Sequence, residues 1–157
     1  MNISYKTIVC TIVFAINAAL SSVPASAGHI LYVATSGTLN TNSGNWTPIP
    51  GLSFTLPIAS ATQKFALITL NVPNPYAQGN NFPGGAFSIA VNNAVLIPIA
   101  AFTSSIQNPP SSGRCPTTLV VEVPLTTNTQ LIQAVWEGVR SSNVIMDTPA
   151  SLSAVLE

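Results

Sequence analysis

The stretch Leu131-Ile132-Gln133-Ala134-Val135-Trp136-Glu137-Gly138-Val139 reads as a β-strand, and its reading decides the fold class. Successive side chains of a strand point to opposite faces, so Leu131, Val135 and Val139 share one side while Ile132, Ala134 and Trp136 share the other. Working outward, Thr118 to Val123 sets Leu119, Val121 and Val123 against Val120 and Glu122. Similar runs occupy Ile30 to Ala34, Leu52 to Leu56, Phe65 to Val72, Ala86 to Val91, Ala94 to Ile99, Val144 to Asp147 and Ser151 to Leu156. Clusters of Pro, Gly, Asn and Ser separate them at fairly even spacing, and no helical pattern is found after residue 27. This is the pattern of an all-β sandwich, and the strand number suits a jelly roll. Both faces of Leu131 to Val139 are largely apolar, and Ala154, Val155 and Leu156 close the chain in the same way. More apolar surface is on offer than one sandwich core requires, so subunit packing is expected.

Composition narrows the function. The chain has 157 residues, of which 47% are hydrophobic and 5% charged, and four Lys+Arg balance four Asp+Glu. A net charge of zero lacks the electrostatic footprint of nucleic-acid binding. One His and two Cys cannot furnish a four-ligand zinc site, the acids are too scattered for calcium, and no glycine-rich phosphate loop is present. A mean hydropathy of +0.47 sets the chain apart from disordered sequences.

Residues 1–27 read as a secretory signal: Lys6 gives the positive start, Thr7 to Leu20 the apolar run, and Ala25-Ser26-Ala27 the small-residue cleavage site. The run is shorter than the roughly 20 apolar residues that span a bilayer, so no membrane insertion is expected after cleavage. The expectation is a secreted domain over residues 28–157. Cys10 leaves with the signal, and Cys115 is then expected to be a small buried residue rather than a nucleophile.

Catalysis finds little support. His29, the imidazole available to a nucleophilic triad, lies at the expected mature N-terminus, and Glu122, Glu137 and Asp147 read as surface or ion-paired carboxylates. The expectation is that the protein is not an enzyme. Three polar segments remain as binding loops, Thr35 to Pro50, Pro73 to Gly85 and Thr103 to Gly113. They and their flanks carry Tyr76, Trp46, Thr103, Ser104, Ser111, Ser112 and Arg114, with Arg140 further on. Arginine forks, hydroxyls and an aromatic face form a repertoire for holding a sugar. Ion bridges from Arg114 and Arg140 to Asp147 or Glu137 are the competing reading.

The block Leu70-Asn71-Val72-Pro73-Asn74-Pro75-Tyr76-Ala77-Gln78-Gly79-Asn80-Asn81-Phe82-Pro83-Gly84 is followed in order by Ser111-Ser112-Gly113-Arg114, by Trp136 with Val139-Arg140, and by Ala150-Ser151-Leu152-Ser153-Ala154. Together these resemble the tumour-necrosis-factor-like lectin domain at the N-terminus of bacterial superlectins, from about Ile49 to the end. The resemblance implies a tumour-necrosis-factor-like jelly roll assembling as a homotrimer. It further implies binding of L-fucose and fucosylated glycans, without calcium or another cofactor, in clefts between neighbouring protomers. Carried over by position, the sugar-contacting residues are Tyr76, Thr103, Ser111, Ser112, Arg114 and Arg140. Two family tyrosines fall on Ala86 and Ser104, so the preferred sugar can differ. Because the superlectins continue into a calcium-dependent domain whereas this chain stops at Glu157, the expectation is a lectin domain standing alone.

Overall fold

The structure, a computed structural model, describes residues 29–108 and 114–157. The expected leader over 1–27 and the hydroxyls of Ser111 and Ser112 lie outside the described residues. One antiparallel sheet orders β1 (Ile30–Ala34), β12 (Ser151–Leu156), β4 (Phe65–Val72) and β9 (Thr117–Pro124). A second orders β3 (Thr47–Leu56), β10 (Gln130–Val139), β6 (Gly84–Val91) and β7 (Ala94–Val95), and β8 (Ala100–Thr103) also pairs with β6. A small third sheet, β2 (Leu39–Thr41), β11 (Asn143–Met146) and β5 (Tyr76–Gln78), completes the fold. Among the described residues there is no helix. The architecture is a jelly-roll β-sandwich.

Register and alternation place the core between the two large sheets. Across the first sheet, Leu31, Ala154, Ile68 and Val121 stand side by side and face inward. From the second sheet, Trp136, Phe87, Ile89, Ile132 and Ala134 meet them, all buried. Truncating a side chain as large as Trp136 or Phe87 at such a site costs about 3–5 kcal/mol. The strand β10 lies between β3 and β6, and its pairing with β3 shifts between Gln133 and Val135. Opposite that bulge the chain bends through Gly51 at φ 82°, a conformation that glycine adopts without the Cβ clash. Asn92 and Asn93, both at positive φ, make the two-residue turn joining β6 to β7.

Several expectations need correction. Ala94 to Ile99 is not one strand: pairing stops after Val95, and the chain bows out through Ile97-Pro98-Ile99 before rejoining β6 as β8. Pro98 has no N–H for a ladder, and the Ser88 hydroxyl donates instead to the Leu96 and Pro98 carbonyls, both at 3.0 Å. The segments read as loops hold β2, β5 and the start of β3, short pairings that polar composition conceals. Cys115 is exposed rather than buried, because it precedes β9 outside the sandwich.

On the second apolar face of β10, opposite Ile132, Ala134 and Trp136, Val135 is buried within the chain while Leu131 and Val139 are half-buried. A further apolar surface lies on the other sheet. There Ile30 and Tyr32 (both 65% exposed), Phe65, Leu67 and Val120 occupy the outward register positions of β1, β4 and β9.

Candidate functional site

The small sheet and the edge of the second large sheet each assemble part of the expected site. In the first group, β5 sets Tyr76 opposite Ile145 of β11, and Asp147 follows where β11 ends. The backbone N–H of Cys115 donates to the Pro75 carbonyl at 3.2 Å, which holds the approach to β9 against the Asn74-Pro75-Tyr76 turn. Arg114 is thereby brought over Tyr76, its guanidinium carbon 4.7 Å from the ring centroid, a cation–π distance. Its two terminal nitrogens donate in parallel to the two Asp147 oxygens, each at 2.5 Å, and Nη1 also reaches the Asn74 carbonyl at 3.3 Å. The pair is part-exposed, with 43% of the Arg114 and 28% of the Asp147 side-chain surface open to solvent. The hydrogen bond from Arg114 holds the Asp147 carboxyl below its ordinary range, and the same bond raises the arginine.

In the second group, Arg140 follows β10 at φ 55° and Ser141 follows at φ 61°, so the chain leaves the strand through two left-handed residues. That costly turn is fixed from below by Ser142, which is fully buried. Its hydroxyl donates to the Val139 carbonyl and accepts from the Gly84 N–H at 3.0 Å. Arg140 Nη1 then donates to the Thr103 hydroxyl at 2.9 Å and to the Phe82 carbonyl at 3.1 Å. The Thr103 hydroxyl in turn donates to the Phe82 carbonyl at 3.0 Å. Phe82 itself sits at φ 47°, aiming its carbonyl at both.

Four of the six predicted residues therefore lie in two groups, Tyr76 with Arg114 and Thr103 with Arg140. Among the described residues no hydrogen bond, ion pair or ring contact joins one group to the other. Of the two readings open for the arginines, the ion bridge is formed at Arg114. Arg140 has no carboxylate partner among the described residues and holds only neutral oxygens. Sequence reasoning named Asp147 as a bridge partner but not as part of the site, and it missed the Asn74 and Phe82 carbonyls altogether. The signal for Asp147 was its place between β11 and β12, where it is the lone acid.

Ala86 is buried in β6, and Ser104 is engaged locally, its hydroxyl donating to the Ile106 carbonyl at 3.0 Å and accepting from the Ile106 N–H at 3.1 Å. A cavity of about 450 Å³ opens elsewhere, at one end of the sandwich, lined by His29, Leu31, Leu56, Gln63 and Leu156 among others, and it shares no residue with either group. Among the described residues no three of His, Cys, Asp or Glu converge as a metal site would require.

The family model described as Bc2l-C, N-terminal domain, matches residues 32–155. A search of curated proteins finds no match. Among solved structures, dimeric latent PorU from Porphyromonas gingivalis is similar at a TM-score of 0.41 and 13% identity, over 84% of this chain and 14% of that one. That likeness is too loose to argue from.

Proposed function

Because this chain belongs to the Bc2l-C N-terminal domain family, a family of lectin-type carbohydrate-binding domains, we propose that it is a secreted lectin for L-fucose or fucosylated glycans. Its sugar sites are clefts between protomers of a homotrimer, and the working unit is residues 28–157 once a leader over 1–27 is removed. The observation that carries this reading is the division of the polar residues into two exposed groups that, among the described residues, do not touch. Tyr76 and Arg114 offer an aromatic face and a cation, Thr103 and Arg140 a hydroxyl and a second cation. Each group is half of a sugar site, and a neighbouring protomer brings the missing half.

The outward face of the β1-β12-β4-β9 sheet supports assembly. Ile30, Tyr32, Phe65, Leu67 and Val120 form an apolar surface with few charges to solvate it, which a second and third copy would cover. Weak single sites then gain from multivalency on clustered glycans.

Calorimetric titration of the purified protein with methyl α-L-fucoside, in the presence of a chelator, tests the reading. Saturation near one sugar per chain is expected, and Arg114→Ala abolishes it while the trimer persists. No heat from the fucoside or from any glycan on an array overturns the lectin reading. Such silence favours a trimeric protein-binding module instead, a role for which the buried Ala86 and the locally bonded Ser104 are the supporting observations.

A further inference from the structure

The Arg114–Asp147 pair has a consequence for which sugars the site accepts, and the inference rests on the carbohydrate-binding reading above. An arginine grips a carboxylate best through two parallel N–H bonds from one edge of its guanidinium. At Arg114 the edge formed by Nη1 and Nη2 is already filled by Asp147 Oδ1 and Oδ2, and Nη1 is shared with the Asn74 carbonyl. The Tyr76 ring covers one face of the same group. What remains is the Nε–Nη2 edge, whose charge Asp147 already offsets, so it suits hydrogen bonds to uncharged oxygens better than a second carboxylate. The Asp147 carboxylate, still 28% exposed, can accept from sugar hydroxyls but repels an approaching anion.

We propose that Asp147 is a specificity-determining residue, making this half of the site select uncharged sugars over sugars that carry a carboxylate. Asp147 does this in two ways: it fills one of the two guanidinium edges that could grip an anionic sugar, and it offsets the charge that would draw one to the other edge. The charged and titratable groups that meet it are Arg114 and, through Arg114, Tyr76. Arg140 bonds to Thr103 and Phe82, so its charge is the cation left for an anion to find in the other group.

The test compares methyl α-L-fucoside with the methyl glycoside of N-acetylneuraminic acid, a carboxylated sugar, on the wild type, Asp147→Asn and Asp147→Glu. Calorimetry gives the affinities, and light scattering with a thermal midpoint reports whether each variant remains assembled. Asp147→Asn keeps one neutral acceptor but removes the negative charge and loosens the grip on the guanidinium, so the affinity ratio should move toward the carboxylated sugar by about tenfold or more. Asp147→Glu, which restores the carboxylate, should return most of the wild-type ratio. An unchanged ratio in an assembled Asp147→Asn protein overturns the proposal while leaving the lectin reading intact. A wild-type protein that binds no glycan overturns the lectin reading and this inference with it.

Discussion

Replacing Gly84 by alanine tests the geometry that links fold and site. Gly84 stands between Val139 of β10 and Thr103 of β8, next in register to the two strand ends that deliver Arg140 and Thr103. A Cβ at this position would fall inside contact distance of the Phe102 carbonyl oxygen and 3.0 Å from both Cα and Oγ1 of Thr103. The Phe102 carbonyl is main chain and cannot swing aside as a side-chain tip can, so β8, four residues long, must move outward. Overpacking of this kind costs about 1–3 kcal/mol, which for a domain of this size lowers the thermal midpoint by roughly 3–15 °C. The displaced Thr103 also parts from Arg140, so sugar affinity should fall further than the loss of stability explains. Gly44→Ala is the control, because a Cβ there meets nothing within 4 Å. Scanning calorimetry on the three proteins, with sugar titration below the midpoint, reads both effects. If Gly84→Ala melts with the wild type and binds sugar equally well, the packing argument around β8 is refuted.

Two further outcomes follow from the charges and the exposed face. Arg114 holds the Asp147 carboxyl below its ordinary range, so the pair stabilises fully above about pH 4 and its contribution is lost as pH falls through the lowered value. The fall in melting temperature below pH 4 should therefore be shallower in Asp147→Asn than in the wild type, and parallel profiles would contradict the coupling. Val120→Glu puts a second acid on the outward apolar face, near Glu122 on the same strand, and should convert the proposed trimer to monomer by light scattering without unfolding the chain. A trimer that tolerates it would mean that the interface lies elsewhere.

The strands that alternate cleanly were legible in the sequence because burial imposes a period of two. Ile30–Ala34, Phe65–Val72 and Ser151–Leu156 match their expected bounds residue for residue. The short strands β2 and β5 were not, since three polar-flanked residues such as Leu39-Asn40-Thr41 acquire strand structure from their partner β11 and not from their own pattern. The same applies to the bow at Ile97-Pro98-Ile99: its apolar residues read as strand, yet Ile97 is 92% exposed and Ser88 holds the carbonyls that pairing would have used. At the site, side chains were legible and main chain was not. Tyr76, Thr103, Arg114 and Arg140 could be singled out by type, whereas the Asn74 and Phe82 carbonyls have no signature in residue identity. The choice between sugar donor and ion bridge at Arg114 needed coordinates, because 33 residues separate it from Asp147. The surplus of apolar residues pointed to a second surface, but only the register showed that β10 buries Val135 inside the chain while β1, β4 and β9 present apolar residues outward.

A complementation measurement reaches the central claim, that each sugar site is shared between protomers, more directly than any single variant. Arg114→Ala and Arg140→Ala chains, each unable to bind sugar as a homotrimer, are co-expressed in equal amounts so that mixed trimers form. If one protomer supplies Tyr76 and Arg114 and its neighbour supplies Thr103 and Arg140, random assembly around a three-fold axis leaves about one cleft in four with both arginines present. Titration should then recover about a quarter of the wild-type stoichiometry at wild-type affinity. Mixed trimers that bind no sugar, formed from variants that each assemble normally, would contradict the shared site.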